Sequence, residues 1–134
     1  MRAIIGILLT LFVFVITPAA YADTPPKKWT LLIFLNGDNS LDRYTEFNLK
    51  QMEKVGSTED VNIVVEWASL SANKAVRMYV QKSTNPDAVS SPVLEDLGLT
   101  DMGDYHALQD FIKWGVAHYP AEHYFIEVWN HGSG

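Results

Sequence analysis

Four largely apolar stretches punctuate this chain: Ile4 to Ile16, Trp29 to Leu35, Val61 to Trp67 and Tyr124 to Trp129. The last three are short, continuous and bounded by turn residues, the pattern of strands buried on both faces of a parallel sheet. Between the first two of these, Leu41, Tyr44, Thr45, Leu49, Met52 and Val55 recur at helical spacing and predict an amphipathic helix. Asn36-Gly37-Asp38-Asn39-Ser40 reads as the turn ahead of it, with Asn39 or Ser40 able to cap, and Gly56 as its stop. Strand, helix and strand are thus complete within one βαβ unit.

Beyond Trp67 the pattern changes. Ala75 to Val80 alternates and is more polar, predicting an antiparallel or edge strand, and Ser83 to Ser91 is a loop rich in Ser, Pro and Asn. Asp101-Met102-Gly103-Asp104 offers acidic capping for a second helix, whose buried face is expected at Leu108, Phe111, Ile112, Gly115, Val116 and Tyr119 before Pro120 ends it. Trp67, Trp114 and Trp129 lie in these elements and are expected in the core. Residues 23–134 therefore predict one α/β unit, a mostly parallel sheet with flanking helices.

The earliest apolar run differs. Arg2 precedes it, Pro18 breaks it, and Ala20-Tyr21-Ala22 has the small-x-small form read by signal peptidase. It is short of the roughly 20 residues a spanning helix needs, so residues 1–22 are expected to be a signal peptide cut after Ala22. The protein is then periplasmic or secreted. The net charge of −6 becomes one unit more negative when Arg2 leaves, and no Lys/Arg cluster points to nucleic acid or an anionic membrane. The sequence holds no cysteine, which removes disulfides, lipidation at the cut and a thiol nucleophile.

In open α/β sheets the working residues lie just beyond the carboxyl ends of the strands. Two segments take that position: Asn36 to Asn39, and Asn130-His131-Gly132-Ser133-Gly134. His131, in a Gly-flanked turn, is the candidate general base, and the Gly132 amide a candidate oxyanion donor. Asp38 and Asn39 suit a helix cap and turn unless the two loops prove adjacent, in which case they are candidate substrate-binding residues. His123, Glu127 and His131 spread over about 26 Å if extended, too far for one ion, so no metal site is expected. His106 and His118 read as surface residues. The serine of Gly132-Ser133-Gly134 lacks the flanking pattern of a nucleophile elbow.

Three stretches together resemble the clostripain-like cysteine peptidases, relatives in fold of caspases, gingipains and legumains. They are Trp29 through Asn36-Gly37-Asp38-Asn39-Ser40-Leu41, Asp101 to Asp104, and Tyr119-Pro120-Ala121-Glu122-His123-Tyr124 running on to Trp129-Asn130-His131-Gly132-Ser133-Gly134. The resemblance implies a caspase-like three-layer sandwich, here incomplete. It implies catalytic roles for His131 and Gly132, an endopeptidase cleaving after basic residues, and peptide or protein substrates. In such enzymes the cysteine comes after the next parallel strand. The sequence ends before that segment, so the expectation is an N-terminal portion, truncated and inactive alone, with an unpaired edge at Tyr124 to Trp129. A separate chain bearing the Cys segment is one candidate partner. No cofactor is expected; calcium dependence of the complete enzyme stays open, and no loop here carries spaced carboxylates. Two rivals remain from another class: a non-catalytic partner module, and an unrelated exported α/β binding domain with Asn36–Asn39 and His131 lining its ligand site.

Overall fold

The computed structural model describes residues 25–132, so the signal peptide expected at residues 1–22 lies outside the described residues, as do Ser133 and Gly134. Among the described residues, five strands and two helices succeed one another: β1 (Lys27–Gly37), α1 (Asp42–Glu53), β2 (Val61–Ser69), β3 (Lys74–Tyr79), β4 (Val93–Gly98), α2 (Tyr105–His118) and β5 (Ala121–Trp129). They make one sheet in the order β4-β3-β2-β1-β5. β1 pairs in parallel with both β2 and β5, whereas β2–β3 and β3–β4 are antiparallel. The parallel core is therefore three strands wide, extended on one side by two antiparallel strands.

Helices cover both faces, and alternation along the central strand explains how. Ile33 and Leu35 join Leu49 of α1 in one apolar cluster, while Leu32 and Phe34 join Phe111 of α2 in the other. All four of these β1 side chains are buried. A strand packed on both sides has to be apolar at successive positions, and this one is. Asp104 caps α2, its carboxylate accepting from the His106 amide 3.0 Å away. Gly56 ends the α1 segment at φ +70°, beyond which the chain turns back against Lys82.

Several expectations need correcting. The α1 face that packs inward is Thr45, Leu49 and Glu53, while Tyr44 and Val55 are exposed. Val55 lies past the last turn, where the helix face no longer meets the sheet. On α2, Phe111 and Gly115 are buried but Val116 is exposed. Trp67, Trp114 and Trp129 are only partly buried, each packed at the margin of a cluster. Strand β4 has no counterpart among the elements that the sequence pattern predicts. It is mostly exposed, and two charged residues on it meet β3: Lys74 Nζ lies 2.7 Å from Asp96, and Arg77 Nη1 2.8 Å from Glu95.

A buried charge row holds this side together. Glu66 on β2, with only 1% of its side chain exposed, binds Arg77 Nε at 2.8 Å, and Arg77 is 11% exposed. The guanidinium also stands 4.7 Å from the Trp114 ring centroid, joining the sheet to α2. Burial pushes the Glu66 carboxyl above its ordinary value, although the hydrogen bond from Arg77 opposes the shift. Glu53, also buried, ties down the β3–β4 connection. Its Oε1 accepts from the amides of Ser90 and Ser91 at 2.8 and 2.6 Å and from the Ser91 hydroxyl at 2.6 Å.

Candidate active site

The register brings the carboxyl ends of three strands to one end of the sheet: Gly37 lies opposite Ser69, and Leu35 opposite Trp129. The chain leaves β1 through α1 toward β2, whereas β5 arrives on the other side of β1 through α2. Connections that diverge over opposite faces open a crevice between the two strand ends, the switch point where open α/β sheets bind ligands. The loops after β1 and β5 line this crevice.

Gly37 allows the first loop to turn tightly. A Cβ at this position would lie 2.5 Å from Thr45 Cγ2 and 2.6 Å from the Ala68 carbonyl, so only glycine lets strand, helix and neighbouring strand approach so closely. Asn39 then locks the loop with its whole carboxamide. Oδ1 accepts from the Leu41 amide at 2.8 Å, and Nδ2 donates to the Asn36 carbonyl at 2.9 Å. Asp42, at the first turn of α1, accepts from the amides of Leu70 and Ser71 at 3.2 and 3.0 Å. Burial raises its carboxyl, but the hydrogen bonds from Ser71, Ser69 and Leu70 outweigh this and hold it below 3.8.

The two loops are adjacent. Asn39 Nδ2 donates to Asn130 Oδ1 at 3.2 Å, and Asn130 Oδ1 also accepts from the His131 amide at 2.7 Å. Ser40 Oγ lies 3.1 Å from His131 Nε2. His131 is thus an exposed imidazole at the mouth of the crevice, held at one ring nitrogen by a side chain from the other loop. Gly132 comes next, in open space, where a Cβ would meet nothing within 4 Å.

Of the residues singled out from sequence, the fold joins His131, Gly132 and Asn39. Asp38 is set apart from them: it is exposed and borders a shallow recess with Ser69, Asn73 and Lys74. Ser40 and Asn130 belong to the site as well, although sequence reasoning gives neither a role in it; each adjoins a residue that it does name. Among the described residues no group of three or more His, Asp or Glu side chains is arranged to hold a metal ion. His123 packs against Trp29 with ring centroids 4.9 Å apart, and both His106 and His118 are exposed on α2.

The crevice has one open wall. β5 has no second strand neighbour among the described residues, and its apolar side chains face solvent on both sides of the sheet. Phe125 is 50% exposed on the α1 side; Ile126 and Val128 are 44% and 58% exposed on the α2 side.

Comparison with known proteins gives a consistent picture. The model of the clostripain family matches residues 33–134. None of the curated proteins is similar to this sequence. Among solved structures, a cysteine protease of B. fragilis is 22% identical with a TM-score of 0.65, over 80% of this chain and 91% of that one. A secreted C11 cysteine protease of Bacteroides thetaiotaomicron, in complex with an irreversible peptide inhibitor, is 24% identical with a TM-score of 0.63. That match covers 81% of this chain and 30% of that one. A clostripain of the same species, in complex with the peptide inhibitor BTN-VLTK-AOMK, is 15% identical with a TM-score of 0.66, over 82% of this chain and 95% of that one. At these identities the likeness is one of fold. The described residues include no helix long and apolar enough to cross a membrane.

Proposed function

The chain belongs to the clostripain family of cysteine peptidases, and on that premise we propose that it supplies the imidazole half of an exported endopeptidase that cleaves after basic residues. His131 is the catalytic imidazole and the Gly132 amide one oxyanion donor. Asn39 lines the substrate side of the crevice, and Asp38 faces the neighbouring recess beside it. The observation that carries this reading is the hydrogen-bond distance of 3.1 Å between Ser40 and His131, which joins two loops at the switch point of the sheet. The peptide inhibitor seen with one neighbour ends its VLTK sequence in lysine, which agrees with a basic residue before the scissile bond.

The reaction sets what is still required. A thiolate attacks the peptide carbonyl, the carbonyl oxygen gathers negative charge, and the leaving amine needs a proton. His131 accepts the thiol proton and returns it to the amine; the Gly132 N–H meets the developing oxyanion. This sequence holds no cysteine. We place the thiol on a further parallel strand beside β5, carried by the same or a separate polypeptide. The exposed Phe125, Ile126 and Val128 would be covered by it. Residues 1–22 serve as the cleaved export signal, with a cut after Ala22. A second reading, a non-catalytic exported binding or partner module, draws on the same open edge and the same missing thiol.

Sequencing past the codon for Gly134, and expressing the downstream segment together with this chain, separates the two. The peptidase reading expects another apolar strand ending near a cysteine. It also expects cleavage of a lysyl or arginyl reporter that the chain alone lacks and that His131→Ala abolishes. Downstream sequence without such a strand, or cleavage indifferent to His131→Ala, favours the binding module.

A further inference from the structure

A histidine that moves protons has two ring nitrogens, and the partner of one decides what the other can do. Here Nε2 lies 3.1 Å from the Ser40 hydroxyl, and among the described residues Nδ1 has no hydrogen-bond partner. Ser40 is itself fixed. Asn39 before it is held at both ends of its carboxamide, and Leu41 after it donates to Asn39 Oδ1 at 2.8 Å. The hydroxyl is therefore presented from a locked loop rather than from a mobile one.

A hydroxyl both donates and accepts, so two arrangements satisfy this distance. If Ser40 donated to Nε2, the lone pair of the neutral ring would be occupied, and the hydroxyl would have to leave whenever that nitrogen took a proton. If Nε2–H donates to Ser40 Oγ, the bond survives both states. The neutral ring keeps its lone pair at Nδ1, and the imidazolium retains the same Nε2–H donor without turning.

We infer that Ser40 is a positioning residue for His131: its Oγ accepts from Nε2–H and so assigns proton transfer to Nδ1. The inference rests on the peptidase reading for its purpose, though not for its test. In the reaction, Nδ1 takes the proton of the attacking thiol, giving a thiolate and an imidazolium. The same Nδ1–H then passes to the departing amine as the C–N bond breaks. Nε2–H stays on Ser40 throughout, so the ring does not rotate between the two transfers.

The test uses the full chain labelled with 15N at histidine, with long-range 1H–15N NMR recorded at a pH about two units above the ordinary histidine value of about 6.5. The expected wild-type pattern for His131 is a protonated Nε2 and an unprotonated Nδ1. Ser40→Ala lowers the ratio of the two tautomers about fivefold, the equilibrium weight of one such hydrogen bond. Ser40→Thr, which keeps the hydroxyl, restores it. Ser40 is on the surface loop, and unchanged backbone amide signals away from the two loops certify the fold of each variant. A wild-type ring protonated at Nδ1, or a tautomer ratio that Ser40→Ala leaves unchanged, overturns the inference. Either result stands apart from the reporter assay, so the peptidase reading and the assignment of the nitrogen fail separately.

Discussion

Among the described residues the sheet has two edges, and they are made differently. β4 is six residues long, irregular in register against β3 at two places, and carries Glu95 and Asp96 in ion pairs with Arg77 and Lys74. Short length, bulges and charge are the devices by which natural sheets blunt an edge against further pairing. β5 has none of them over its last six residues apart from Glu127. It is nine residues long, runs in regular parallel register with β1, and turns apolar side chains outward on both faces. One edge has the chemistry of a boundary, the other that of an interior strand. The crevice bearing His131 lies beside the second, so half of its wall is finished and half is open.

This contrast is breakable, and the blunted edge offers the largest effect. Replacing Arg77 with Met strands Glu66 as a buried charge, and loss of one member of such a pair costs about 3–5 kcal/mol. Urea denaturation should register the loss with a pH dependence of definite sign. Glu66 already has a folded-state value raised above 4.5 by burial, and removing its cation raises it further. A carboxyl whose folded value is raised contributes stability that is fully present below the unfolded value and is lost as pH rises through the folded one. The variant should therefore recover toward wild type below pH 4.5 and weaken above it. A deficit that does not vary with pH would mean that Glu66 is not what Arg77 neutralises.

A smaller effect belongs to Glu53, which anchors the connection delivering β4 to its place. Glu53→Ala leaves the Ser90 and Ser91 amides and the Ser91 hydroxyl without their acceptor, at a cost of about 1–3 kcal/mol. Limited proteolysis should then cut within Ser83–Ser91 faster than in wild type. Protection equal to wild type would show that this loop is held by something else.

The open edge should respond least in stability and most in association. Ile126→Lys and Val128→Lys change side chains that are already half exposed, so stability should shift by about 0.5 kcal/mol or less. Sedimentation velocity should nevertheless show weaker self-association in both, while Leu94→Lys on the charged edge leaves it unchanged. Equal responses at the two edges would erase the distinction between them.

The central architecture could be read from residue order because local chemistry and tertiary demand agree there. β1 and β2 are buried on both faces and advertise it by continuous apolar runs; the α2 cap at Asp104 announces itself by its own side chain. β4 could not be read this way. Its residues 93–98 have little strand preference of their own, and Arg77 and Lys74 on a neighbouring strand give them partners. Glu53 illustrates the same limit, since an acidic residue near a helix end reads as solvated until a loop 37 residues later supplies its donors. The site divides along this line as well. His131 stands out through its position after a strand, whereas the role of Ser40 depends on a contact no local pattern encodes.

That contact also fixes when the site comes into being during folding. Ser40 and His131 are 91 residues apart in sequence, whereas the Thr30–Asn62 bond between β1 and β2 closes only 32. Closing the longer loop costs roughly 1 kcal/mol more in chain entropy, and little apolar burial on β5 repays it. A molecule with β1 to β4 assembled already holds most of its core yet has no paired imidazole. The Ser40–His131 pair is thus expected to form late, in which case its tautomer signal would report completion of the sheet rather than collapse of the chain.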